Sequence, residues 1–134
     1  MLNQQEWTAA LAVERKMYGA LSEVLDLTRE LSDAVGRQDQ VSVRLFLQMR
    51  QEQINLLREC REALKKQCQR LPPQEGESLR LVLAGEAPDA PEGNALLLQV
   101  RRNRALLERV IELDQRVNQR LGGRKSFYTV RKRP

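Results

Sequence analysis

The sequence predicts an all-α protein: an antiparallel hairpin of two long helices and a third long C-terminal helix, forming a coiled-coil-like helical bundle. Three observations carry this. The composition leans on Leu, Arg, Glu, Gln and Ala, which are good helix formers, and only 4% of residues are aromatic. Apolar residues recur at 3-4 spacing over stretches of about thirty residues, the pattern of helices packed nearly parallel or antiparallel. Glycines and prolines fall mainly between these stretches. The 134 residues fit one domain, and 41% hydrophobic residues can build a core of Leu, Val, Ile and Ala.

The first helix is expected over about 4–35. Trp7, Ala10, Met17, Leu21, Val24, Leu31 and Val35 follow one heptad seam, with Glu14 and Thr28 in two of its slots. Gly19 lies mid-helix and costs about 1 kcal/mol relative to Ala. Gly36 is placed to supply a left-handed C-terminal residue. The short connection Gly36–Arg37–Gln38 requires antiparallel neighbours, and Asp39 can cap a second helix over 39–70. In that helix Phe46, Met49, Gln53, Leu57, Cys60, Leu64 and Cys68 repeat the spacing, helped by Leu45, Ile54 and Leu56. Pro72 and Pro73 stop it. Helices of this size make a hairpin about 45 Å long.

A short helix is expected over 75–84 through Leu79, Leu81 and Val82. The segment 85–93, GEAPDAPEG, reads as a turn-rich, acidic, mobile linker. Asn94 is then expected to cap a third long helix over 94–121. Its stripe is Leu96, Val100, Leu107, Val110, Val117 and Leu121, widened by Leu97, Leu106, Ile111 and Leu113, with Asn103 and Asp114 in seam positions. The bundle domain spans 1–123, and 124–134 is a basic, flexible tail.

The formal charge of +5 sits in that tail. Arg124, Lys125, Arg131, Lys132 and Arg133 have no accompanying acid, which leaves 18 basic and 18 acidic residues in the body. The tail carries Phe127 and Tyr128 between basic pairs, a pattern able to stack on nucleic acid bases, although a disordered, charged chain end is the simpler explanation. Cys60 and Cys68 lie eight residues apart on one helix, about 12 Å and too far for a disulfide. They read as reduced core residues, in keeping with a cytoplasmic protein. No secretory leader and no uncharged apolar run long enough to span a membrane is seen.

Histidine is absent, which removes the commonest general base and metal ligand together. There is no phosphate-binding glycine motif, and acids such as Glu112 pair with arginines at i,i+4. The sequence therefore points to a binding protein with no cofactor and no metal, and not to an enzyme. A third helix laid on a two-helix hairpin leaves one groove open for a partner helix or for self-association. The candidate partner-binding residues are Asn103, Leu106, Leu107, Val110, Ile111, Val117 and Leu121, because this helix has more apolar surface than one stripe requires. A seam asparagine such as Asn103 fixes register or contacts a partner, and the Arg101, Arg102, Arg104 cluster reads as a solvated face.

The order of features resembles the FlgN-type flagellar export chaperones. A basic and Gln-rich second helix (MRQEQINLLRECREAL, 49–64), a proline break, a loose middle, a last helix reading VRRNRALLERVIEL (100–113) and an aromatic-bearing tail carry the likeness. It covers about Leu11 to Tyr128, and its most specific piece is Asn103 ahead of Leu106, Leu107 and Glu108. Tyr128 is followed by Thr129, Val130 and Arg131, where the family commonly has Gly-containing residues. The resemblance implies a cytoplasmic chaperone that binds the C-terminal helical segments of hook-associated proteins and delivers them to the flagellar type III export apparatus. It places Asn103, Leu106, Leu107 and Val110 on the cargo-binding helix. A coiled-coil scaffolding protein that self-associates, as a homodimer or larger assembly, is the competing reading, and a nucleic-acid factor using the tail is a third.

Overall fold

The computed structural model describes the backbone of residues 1–122 and the side chains of 1–120. Three long helices dominate: α1 (Gln4–Gly36), α2 (Gln40–Arg70) and α4 (Asn94–Gly122), with the short α3 (Pro73–Leu83) between the last two. The described residues contain no strand. α1 and α2 form the expected hairpin. α4 returns along α1, so α1 is the shared spine of the bundle.

The α1 seam follows the heptad pattern. Trp7, Ala10, Glu14, Met17, Leu21, Val24, Thr28 and Leu31 are all buried. Its start is set by Asn3, whose Oδ1 accepts a bond from the Glu6 N–H at 2.9 Å. Leu2 and Trp7 flank that cap and join one apolar cluster, the arrangement of a hydrophobic staple.

The end of α1 differs from expectation. The left-handed residue is Gln38 (φ 58), not Gly36, which is the last helical residue. The Asp39 N–H reaches Ala34 O and the Gln38 N–H reaches Val35 O, the two bonds of a Schellman motif with Gln38 at the αL position. The same motif closes α3, where Gly85 (φ +98) occupies that position and the Glu86 N–H bonds Leu81 O. The reason is geometric: the Asp39 backbone N–H must cap α1 while the Asp39 side chain accepts from the Ser42 N–H to start α2. That spacing puts the reversal at residue 38.

α2 also departs from the expected seam in its first half. Val43, Arg50, Cys60, Leu64 and Gln67 are its buried residues, while Met49 turns partly outward. The inward series is therefore 43, 50, 57, 64, and it contains a buried arginine. α2 ends at Leu71 (ψ 156), the extended conformation that a following proline demands, and Pro73 opens α3.

α3 packs against α2 where the chain comes very close. A Cβ on Gly76 would sit 2.4 Å from Cys68 O. Leu79 and Val82 of α3 are fully buried beside Trp7 and Leu96. The linker is more tightly placed than its composition suggests. Ala90 is buried, Pro91–Gly93 forms a 3-10 turn, and Gly93 lies against the Trp7 ring. Asn94 is not an N-cap: it is already helical (φ −65, ψ −39), because the 3-10 turn leads straight into α4.

The core runs the length of α1 in three clusters. Trp7, Leu64, Leu79 and Leu96 mark one end. Leu21, Val24, Leu25, Leu106 and Val110 form the middle. Leu31, Ala34, Val43 and Val117 close the other end. Both ends are tied by polar contacts. Glu6 Oε1 accepts from Gln67 Nε2 and Arg70 Nη2 at 3.0 and 2.9 Å, and Arg120 Nη1 reaches Ser32 Oγ at 2.8 Å.

Candidate functional site

α1 packs along both α2 and α4, whereas the backbones of α2 and α4 stay apart and meet through side chains such as Arg50 and Asp114. Three helices joined through one spine leave a groove along the open edge. Its floor is α1, through Met17, Leu21 and Val24. One wall is α2, with Ile54, Leu57 and Leu64, and the other is α4, with Val100, Leu107, Val110 and Ile111. Two cavities of about 630 and 770 Å³ occupy it and share Leu21, Leu57, Arg61 and Leu107, so they form one continuous trough. On the α2 side it extends from Arg44 to Gln69, about 38 Å at 1.5 Å per residue.

Two polar layers cross the bundle beneath it. In the first, the Asn103 Nδ2 amide donates to Glu14 Oε1 and to Glu14 O, both at 2.8 Å, and Asn103 Oδ1 accepts from Gln99 Nε2 at 3.0 Å. All three residues are buried. Burial pushes the Glu14 carboxyl above its ordinary pKa, against the lowering effect of the Asn103 bond and the positive charges of Arg61 and Arg104. In the second layer, Arg50 Nη1 donates to Thr28 Oγ1 at 3.3 Å and to Asp114 Oδ1 at 2.5 Å, linking α2, α1 and α4. The polar seam positions of α1, Glu14 and Thr28, thus meet polar residues of the other helices. Such matched layers specify register.

The groove brings together four of the sequence-predicted site residues: Asn103, Leu107, Val110 and Ile111. Leu107 is half-buried and lines both cavities, and Ile111 is 45% exposed. Leu106 lies instead in the buried contact with α1, among Leu21, Val24 and Leu25, and Val117 is buried among Leu31 and Ala34 of α1 and Val43 of α2. The Leu121 side chain, Phe127, Tyr128 and the basic tail fall outside the described residues.

Sequence reasoning placed the site on the last helix alone and missed the α2 wall. The signal was present: Arg58, Arg61 and Lys65 line the groove beside Leu57 and Leu64, which leaves α2 with a narrow apolar stripe bordered by cations. Cys68 also lines the groove, and burial raises both its thiol and that of Cys60 above the ordinary value, which keeps them protonated at neutral pH. Among the described residues no group of three His, Cys, Asp or Glu could hold a metal ion, and no helix is long and apolar enough to cross a membrane. Comparison with protein-family models, curated proteins and solved structures returns no match.

Proposed function

We propose that the chain is a cytoplasmic export chaperone that takes up helical C-terminal segments of flagellar hook-associated proteins and keeps them soluble and export-competent. The open groove between α2 and α4 supports this reading: its apolar floor and walls have the length and concave section of a seat for one amphipathic helix. A bound helix would complete a four-helix bundle and bury the exposed part of Leu107 and Ile111. The FlgN-like order of features supplies the class of cargo, and the export apparatus would be the second partner.

Calorimetric titration of the chain with C-terminal segments of hook-associated proteins tests the reading. The expected result is saturable binding that suppresses aggregation of the segments. Ile111→Glu is expected to weaken it about tenfold or more, the effect of a charge facing an apolar helix, while the circular dichroism spectrum is kept because Ile111 is 45% exposed. Absence of binding to every such segment would sink the chaperone reading. A tight, elongated homo-oligomer in light scattering, broken by Ile111→Glu, would favour the scaffolding alternative.

A further inference from the structure

The charge around the groove is one-sided. Arg44, Arg58, Arg61 and Lys65 on α2 and Arg104 on α4 all line it, all are exposed, and none closes an ion pair among the described residues. The acids that line it are committed elsewhere: Glu14 is buried in its bonds to Asn103, and Asp114 is bound by Arg50. The groove is an apolar trough with a cationic rim on a body whose total charge is balanced, so the rim is a local feature and not the consequence of a basic protein.

We infer that the groove selects an acidic amphipathic helix of a partner protein, with Asp and Glu flanking its apolar stripe. This rests on the chaperone reading only in taking the groove as a helix seat. Leucine, isoleucine and valine on that helix would meet Leu21, Leu57 and Leu107, and its carboxylates would reach Arg58, Arg61, Lys65 and Arg104. Complementary rim charges raise the encounter rate and reject helices of the wrong sign.

Other occupants fit less well. The 124–134 segment of this chain holds five basic residues and no acid, so the rim repels it. A second copy offers Val41, Leu45 and Met49 as an exposed apolar strip on α2, but that strip is accompanied by Arg44 and by no acid between residues 40 and 51. Nucleic acid would satisfy the cations, yet the groove lining contains no aromatic side chain on which a base could stack, and its floor is aliphatic.

The test uses the full chain and two designed helical peptides of about 20 residues with the same Leu/Ile stripe, one flanked by Glu and one by Lys. Their affinities are measured by fluorescence anisotropy at 50 mM and 1 M NaCl, with a random single-stranded RNA as a third ligand. The acidic peptide is expected to bind about tenfold or more tightly than the basic one at low salt, with the preference collapsing at high salt. The double variant R58E/R61E is expected to invert the preference, and both positions are exposed, so folding is kept. Equal binding of both peptides overturns the charge selection while leaving the helix-groove reading standing. Binding of neither peptide overturns both. RNA binding that competes with the acidic peptide and is lost in R58E/R61E overturns the protein-helix assignment.

Discussion

Replacing Asn103 by Leu tests the polar layer that sets how α4 lies on α1. The substitution keeps side-chain volume and removes two functions. Glu14 Oε1 loses the donor at 2.8 Å, and Gln99 Nε2 loses its acceptor at 3.0 Å. Both groups remain buried, with Glu14 at 6% and Gln99 at 9% exposure. Leaving a buried polar group unpaired costs about 1–3 kcal/mol, more for a charged one, and the added apolar area of Leu returns about 1 kcal/mol. The expected net loss at pH 7.5 is about 2–3 kcal/mol. Glu14 gives this loss a pH signature. Its folded pKa is raised by burial, so its contribution to stability is fully present below the unfolded value of 4.5 and is lost as pH rises through the folded value. As pH falls towards 4.5 the carboxyl takes up its proton, and the N103L penalty should shrink. The double variant E14L/N103L removes the carboxylate together with its donor and should recover the share of the loss due to Glu14, remaining about 1–2 kcal/mol below the parent because Gln99 Nε2 is still buried without its acceptor. Urea unfolding followed by fluorescence of Trp7, the single tryptophan and 2% exposed, reads each value. An N103L chain as stable as the parent, or a penalty independent of pH, would refute the reasoning.

Gln38→Gly should stabilise the hairpin by about 0.5–1 kcal/mol, because glycine adopts the αL conformation (φ 58) without a Cβ clash; thermal unfolding measures it. Gly76→Ala should destabilise by about 1–3 kcal/mol, since the new methyl would lie 2.4 Å from a backbone carbonyl oxygen of Cys68, which cannot rotate away; denaturant melts and proteolysis of α3 check it. Asp39→Ala should cost about 1 kcal/mol through loss of the Ser42 cap bonds, seen as a lower denaturation midpoint. Glu14→Gln keeps the acceptor for Asn103 and removes the charge. It should abolish the gain in stability that the parent shows as pH falls from neutrality towards 4.5, in chemical denaturation across that range.

Helix existence and order were legible because long helices repeat their signal over many turns. In α1 every seam position from Trp7 to Leu31 is buried, polar slots included. What escaped was local. Arg50 drew no assignment from the sequence, because its role depends on Thr28 and Asp114, which are distant in sequence and meet it only after folding. Gly36 attracted the C-terminal assignment because glycine suits αL, but the hydrogen-bond count through Asp39 decides the position and puts it on Gln38. The site was half legible for a related reason. Apolar excess on the last helix is a property of one segment, whereas a groove belongs to two segments and the space between them, so the cation-bordered stripe of α2 reads as a wall only once α4 is placed opposite it.

The same division explains how a small bundle can hold a groove open. The largest fully buried apolar side chains, Trp7, Leu31, Leu79, Leu96, Val82 and Val117, lie in clusters at the two ends of α1. The middle cluster is thinner and is bordered by the half-buried Ile54, Leu57, Leu107 and Leu113. Completing the burial of such side chains is worth part of the 1.5–3 kcal/mol that full burial of each would contribute, and a 1 μM complex requires about 8 kcal/mol in all. Several partly exposed aliphatic residues with a charged rim are therefore the right scale for reversible capture. The polar layers of Glu14 and Arg50 then have a second consequence: by fixing register on either side of the thin middle, they keep α2 and α4 from collapsing onto each other across the groove. E14L/N103L should therefore stay folded yet bind an acidic helix more weakly, because α4 is freer to close against α2. Equal affinity of that variant and the parent would show that the groove is held open by the end clusters alone.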